Sequence, residues 1–381
     1  MTTPASCAVQ ALGQTIWYDN IRRELLRSGA IARMISDQCL AGLTSNPSIF
    51  EKAIAAGREY DEALSSARRQ RPQASAQDIF YDLAIGDIRE AADLFADLHR
   101  TSEGRDGWVS LEVSPDLAYD TEATIDEAEA LFRRVDRPNV MIKVPATRQA
   151  LRTVETLTDR GVNVNATLLF SIARYEQIAD AYLLGLESRL RRGQPLHRIQ
   201  SVASFFVSRV DGLVDRQLQS IIAQAEPARA ARAQALLGQV AVANARLAYR
   251  RFRAIFGSER FGMLASAGAH VQRLLWASTS TKNPAYSDLL YVEPLIGADT
   301  VNTLPPETLA AFNDHGKVAQ TLPADPAQAE HVLKELEALG ISLDAVTRQL
   351  EEDGVAAFAA SYHNLLQSIA EKTARLSGTN G

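Results

Sequence analysis

Cysteine, lysine and clustered histidine are all scarce in this chain of 381 residues. The two cysteines, Cys7 and Cys39, are too few for a disulfide framework and have no Cys-x-x-Cys spacing, which fits a reducing, cytoplasmic setting. The six histidines (99, 197, 270, 315, 331 and 363) show no His-x-x-x-His or His-x-His spacing, which argues against a metal site. No apolar run approaches the ~20 residues of a membrane-spanning helix. The first residues, MTTPASCAVQALGQ, lack the charged segment and sustained apolar core of a secretory signal. There is no Gly-x-Gly-x-x-Gly turn after the first candidate strand, no Walker-type loop and no Gly-x-Ser-x-Gly elbow. A net charge of −6 and a pI near 5.6 exclude broad nucleic-acid or anionic-membrane binding. A small anionic ligand stays open, because a few local cations suffice to hold it.

Eight short apolar segments are present and read as strands: Thr15–Tyr18, Ala41–Thr44, Trp108–Val113, Asn139–Thr147, Val162–Phe170, Val202–Val210, Leu274–Ser278 and Thr300–Leu304. Helical periodicity fills the intervals. It covers Ile21–Leu40 with an interruption at Ser28-Gly29, then a long region to about Arg100 broken near Gly57 and Arg71-Pro72. It returns at Asp120–Arg134, Arg148–Arg160, Ala173–Arg192 and Asp211–Phe256, with a break near Pro227. The tail Ala327–Leu376 is helical too, punctuated by Gly340 and Gly354. Strict strand–helix alternation predicts parallel strands, and eight repeats predict an α/β fold closed as a (β/α)8 TIM-type barrel. Such a barrel needs about 250 residues. The remaining length is therefore expected as helical additions at about 51–100 and 327–376 within a single domain. An open doubly wound sheet is the rival, and the missing glycine-rich turn counts against it.

The fourth strand holds an anomaly. In NVMIKVPAT, Lys143 sits among Val140, Met141, Ile142 and Val144, and Pro145 ends the run. The chain has only six lysines against thirty-four arginines, and the other five lie in helix-like or loop contexts. A buried ammonium must either pair with a carboxylate or give up its proton and become a nucleophilic amine.

Barrel enzymes build their sites at the C-terminal ends of the strands. Those ends offer Asp19, Ser45-Asn46, Glu112, Lys143, Asn165 with Thr167, Ser204 with Arg209, and Ser278 with Lys282. Each also has a plainer reading. Asp19 could cap the helix near Ile21, Asn46 could make an Asn-Pro turn, and Glu112 could be a salt-bridge partner of Lys143. Asn165 and Thr167, two apart on one face, could be a buried hydrogen-bonded pair. Arg209 could pair with Asp211, and Lys282 could be a solvated loop lysine. Taken together, an amine, two carboxylates, amides, hydroxyls and a small cationic end are what Schiff-base chemistry on a phosphorylated sugar requires.

In this order the motifs resemble the transaldolase family, specifically its longer bacterial branch. IWYDNIRR, LTSNPSIF, SLEVSP, MIKVPAT, NVNATLLFS, SFFVSRVD and LLWASTSTKNPAYSDLLYVEPLIGADTVNTLP run from residue 16 to 305 in family order. The resemblance implies an α/β barrel that passes a dihydroxyacetone unit between sugar phosphates through a lysine Schiff base, without a cofactor. Lys143 matches the Schiff-base lysine and Asp19 the carboxylate that takes and returns the C4 hydroxyl proton. Glu112 matches the acid/base acting with water, and Thr167 its hydroxyl partner. Asn46 and Asn165 match amides that hold substrate hydroxyls. Ser204, Arg209 and Ser278 match phosphate contacts, and Phe206 a pocket wall. One departure concerns the phosphate end: shorter members read Ala-Ser-Phe-Arg, whereas this chain reads Ala277-Ser278-Thr279-Ser280-Thr281-Lys282. Lys282 is the nearest substitute for that arginine, a point charge rather than a bidentate fork. Ser208 stands where the family has glycine.

Two alternatives accompany this reading. One is a related aldolase that releases free dihydroxyacetone, and the other is a catalytically silent sugar-phosphate-binding barrel. Monomer and homodimer are both compatible with the sequence, and the tail beyond about 320 carries no motif tied to function.

Overall fold

The computed structural model describes residues 3–378. Eight parallel strands pair in chain order and close into a barrel. They are β1 (Gln14–Tyr18), β2 (Gly42–Thr44), β3 (Trp108–Glu112), β4 (Val140–Pro145), β5 (Val164–Leu169), β6 (Ser201–Phe206), β7 (Gln272–Ala277) and β8 (Thr300–Leu304). All eight expected strands are found. Each is buried along its whole length, as near-continuous apolar runs require of strands covered on both faces. Between β2 and β3 run three helices, Pro47–Ala56, Asp61–Gln70 and Ala76–Thr101, broken where Gly57 and Arg71-Pro72 predict.

Register places the chemistry. Glu112 pairs with Lys143, Lys143 with Asn165, and Pro145 with Thr167, so the polar ends of β3, β4 and β5 lie side by side. At the opposite end of the barrel the buried Arg273 guanidinium reaches Asp106 Oδ1 at 3.2 Å and Thr15 Oγ1 at 3.3 Å, and also the Arg105 carbonyl. That network closes the floor with its charge paired.

β2 is only three residues long, and its glycine is obligatory. A Cβ on Gly42 would lie 2.7 Å from Trp17 ring carbons and 2.8 Å from the Trp108 carbonyl. Trp17, Trp108 and Trp276 are all fully enclosed, as their strand positions predict.

Four details differ from expectation. The strand expected over Val202–Val210 stops at Phe206, and a helix runs over Ser208–Gln224, so Arg209 sits in a first helical turn. Buried Val210 and Val214 recur at helical spacing there and outweigh the β-branched run. A helix over Glu259–Ser266, capped by Ser258, was not expected; its eight residues are too few to show a clear period. Gly354 does not break the tail, because one helix runs continuously over Leu343–Gly378. Cys7 and Cys39 form a disulfide, with Cα atoms 5.0 Å apart. Gln10 Nε2 donating to the Cys39 carbonyl (3.0 Å) and Ser6 Oγ donating to Gln38 (2.7 Å) hold those segments together. Counting cysteines bears on frameworks; a single bridge needs only tertiary proximity.

Gly42→Ala should lower stability by about 1–3 kcal/mol through overpacking. Gly86→Ala, at a helical site where an added Cβ meets no atom within 4 Å, should raise it by about 0.5–1 kcal/mol. Thermal melting of the two variants checks both signs, and equal midpoints would refute the packing argument.

Candidate active site

Burial of an ammonium group is the local problem around which the site is built. Lys143 is 5% exposed, and its Nζ donates a 3.0 Å hydrogen bond to the Ser45 carbonyl, from the loop after β2. Glu112 Oε2 lies 3.4 Å from the same nitrogen. This is an ion-pair contact without hydrogen-bond geometry: both carboxylate oxygens of Glu112 lack a hydrogen-bond partner among the described residues, as does Thr167 Oγ1. Burial pushes the Glu112 carboxyl up to about 6, with the Lys143 charge opposing and Asp19 adding to the rise. A carboxyl in that range can accept and return protons near neutral pH.

Asp19 follows β1. The helix after it begins only at Arg23, without a side-chain cap, so Asp19 caps nothing. Its Oδ1 accepts a 2.7 Å bond from Thr44, whose hydroxyl also meets Thr303 at 2.7 Å. Loss of water raises its carboxyl above the usual range, while Lys143, Thr44 and Arg209 pull it down. A polar chain links β3, β5 and β6: Asn165 Nδ2 donates to Ser110 Oγ at 3.1 Å, and Ser204 Oγ donates to Asn165 Oδ1 at 2.6 Å. Ser204 thus gives its one hydroxyl proton to Asn165 and orients that amide, leaving no proton for a phosphate oxygen. Asn46 caps the helix Pro47–Ala56 by accepting from the Ile49 amide at 3.0 Å, which leaves its own NH2 for a ligand. Asn46 is thus a helix cap that also lines the pocket over the strand ends.

A cavity of about 1220 Å3 opens over these strand ends. Asp19, Asn46, Lys143, Thr167, Ser204, Phe206, Arg209, Ser278 and Lys282 line it. Glu112 and Asn165 are not in its wall; they stand behind it, against Lys143 and Ser204. Arg209 does not pair with Asp211, whose carboxylate instead takes the Ala241 amide (2.7 Å) and the Tyr291 hydroxyl (3.1 Å). The Arg209 guanidinium packs 5.1 Å from the Phe206 ring centroid and 6.0 Å from that of Phe358. Burial lowers its pKa and the Asp19 charge opposes this. Ser278, in the left-handed region at φ 54°, meets Ser208 hydroxyl to hydroxyl at 3.1 Å. Backbone strain of this kind clusters at functional sites.

Four of the lining residues that escaped sequence reasoning stand out. Arg216 lies seven positions beyond Arg209 on one helix, a spacing that puts both on one face. Tyr291, in the loop after β7, is tied to Asp211. Leu350 and Phe358 come from the tail helix, where nothing local distinguishes them from other apolar positions.

A sequence model of transaldolase/fructose-6-phosphate aldolase matches residues 16–369. The chain belongs to that family. It is 48% identical over 361 residues to a transaldolase of Thiobacillus denitrificans, covering 95% of this chain and 98% of that protein. A transaldolase of Saccharopolyspora erythraea is 44% identical over 374 residues (98% and 99%), and one of Trichodesmium erythraeum 41% over 382 residues (99% and 99%). The family match reaches through the tail helix to Ile369, beyond the last quoted motif.

With Glu112 held near 6, a larger share stays protonated at mildly acid pH than for an ordinary carboxyl. If it must be ionised to take the lysine proton, kcat/KM should fall as pH drops through about 6. Glu112→Gln should abolish that limb and slow turnover by roughly 10²–10⁴-fold. Initial rates between about pH 5 and 8 for both proteins test this; an unchanged acid limb in the variant would exclude the role.

Proposed function

We infer that this chain acts as a transaldolase. It moves a dihydroxyacetone unit from a ketose phosphate, sedoheptulose 7-phosphate or fructose 6-phosphate, to an aldose phosphate, glyceraldehyde 3-phosphate or erythrose 4-phosphate, in the non-oxidative pentose phosphate pathway. The observation that carries the site assignment is Lys143, buried 3.4 Å from Glu112, in a cavity also lined by Arg209, which makes no ion pair among the described residues.

Glu112 takes a proton from the Lys143 ammonium. The free amine attacks the ketose C2 carbonyl and gives a carbinolamine. Glu112 then returns the proton to the departing hydroxyl, water leaves, and the iminium forms. Thr167, with its unpartnered hydroxyl, is suited to hold that water. Asp19 removes the C4 hydroxyl proton; the C3–C4 bond breaks, and its electron pair moves into the iminium to give a three-carbon enamine. The first aldose phosphate leaves. Enamine C3 attacks the aldehyde of the second, Asp19 returns the proton to the new alkoxide, and water adds back at C2 to free the lysine. Asn46 holds substrate hydroxyls, while Asn165, behind the wall and hydrogen-bonded to Ser110 and Ser204, positions Ser204.

The phosphate is assigned to Arg209, Ser278 and Lys282, beside the N-terminus of the helix Ser208–Gln224, whose dipole favours an anion. No helix in the described residues is long and apolar enough to cross a membrane. Phosphorylated sugars do not cross bilayers unaided, which supports a cytoplasmic setting. There the Cys7–Cys39 pair is open to reduction by the thiol pool.

Borohydride with fructose 6-phosphate should trap an adduct on the peptide containing Lys143. Lys143→Arg should lose both the adduct and turnover while keeping the far-UV circular dichroism of the barrel. A fully active variant would sink the assignment. Arg209→Ala should raise KM for phosphorylated substrates far more than it changes adduct formation with unphosphorylated ketose, as steady-state rates on both will show.

A further inference from the structure

The tail helix Leu343–Gly378 lies across the C-terminal mouth of the barrel. Ser361 receives a 2.7 Å bond from Ser48, and Lys372 reaches Asp61 at 3.3 Å as well as the Gly57 carbonyl. His363 meets Asp116, beyond β3, at 3.0 Å, and Glu351 meets Arg174, beyond β5, at 3.4 Å. Gly354 lets the helix approach: a Cβ there would stand 3.1 Å from Leu168 and 3.6 Å from Phe170. Leu168 itself is turned toward the helix by a β-bulge, with φ 61° and a register shift between Ala166 and Leu169. Leu350, Gly354 and Phe358, four apart, form one stripe facing the barrel. The Phe358 ring centroid is 6.0 Å from Lys143 Nζ and 6.0 Å from the Arg209 guanidinium carbon, and the residue is 6% exposed. One side chain therefore roofs both the nitrogen that carries the substrate and the cation assigned to its phosphate.

We propose that Phe358 is a specificity-determining residue that keeps water from the Lys143-bound three-carbon enamine and so commits it to transfer rather than release. Release takes up one water in total. A proton adds to enamine C3 to regenerate the iminium, hydroxide adds at C2, and the carbinolamine expels the Lys143 amine as dihydroxyacetone departs. Transfer instead joins C3 to an aldehyde carbon. The cavity must stay open toward the acceptor, so the barrier to water has to be local to the nitrogen, where the Phe358 ring stands. The inference rests on the Schiff-base role of Lys143.

The test is the partition ratio, free dihydroxyacetone released per ketose formed, measured with fructose 6-phosphate and a saturating acceptor. In Phe358→Ala the ratio should rise about tenfold, with the borohydride adduct on Lys143 retained. Phe358→Leu restores apolar cover and should return the ratio most of the way to that of the unmodified chain. A merely structural role would lower transfer and release together and leave the ratio unchanged, and that result overturns the proposal. If Phe358→Ala does not fold, Phe358→Gln, of similar length but polar, takes its place with the same expected rise and the same overturning result. Absence of any adduct in the unmodified chain would instead defeat the Schiff-base reading itself.

Discussion

Everything in this active site depends on keeping an amine and a carboxylate together out of water without letting them neutralise one another completely. Lys143 and Glu112 are 5% and 6% exposed and 3.4 Å apart. Alone, either charge would be very unfavourable in the interior of a barrel. Together they are tolerable, yet the pair is deliberately incomplete: Nζ makes its hydrogen bond to the Ser45 carbonyl, and neither Glu112 oxygen makes one. A carboxylate tied up by several donors would hold its proton affinity low and its partner fixed. This one stays poised, as the proton-transfer role proposed for Glu112 requires.

The barrel supplies that arrangement by register. Strands β3, β4 and β5 deliver Glu112, Lys143, Asn165 and Thr167 to adjoining positions, while β1 and β2 bring Asp19 and Thr44 from the other side. Asp19 lies in the fields of both Lys143 and Arg209, so one carboxylate acts on both cations at once. Around Arg209 the logic is reversed. Arg209 is flanked by Phe206 and Phe358 rather than by an acid, so its N–H fork is positioned without being neutralised.

Much of this was legible in the sequence, because closed parallel barrels leave strong local marks. Eight apolar runs, a lysine inside one of them and polar residues at the ends of the others led to the architecture and the family. What was not legible shares a cause. The hydroxyl of Ser204 is spent on Asn165, which only a three-dimensional donor count reveals. Arg209 lies on a helix because Val210 and Val214 find a surface to cover. Gly354 reads as a break until Leu168 is placed beneath it. Phe358 belongs to a tail with no motif, and its importance comes from what it covers. Cys7 and Cys39 are paired by the packing of two segments that share no pattern. In each case the deciding information is a contact between residues distant in the chain.

The hydrogen-bond chain from Ser110 through Asn165 to Ser204 has an implication for how such a protein can change over generations. Its three members sit on three strands, are wholly buried, and satisfy one another. Losing any one strands its neighbours' polar atoms in the interior, at a cost of about 1–3 kcal/mol each. Replacing them together by apolar groups of matching shape would cost far less. Single steps away from this trio are therefore steep, while the joint move is shallow. Drift at these positions is expected to be epistatic, with lineages either keeping all three residues or exchanging them as a set.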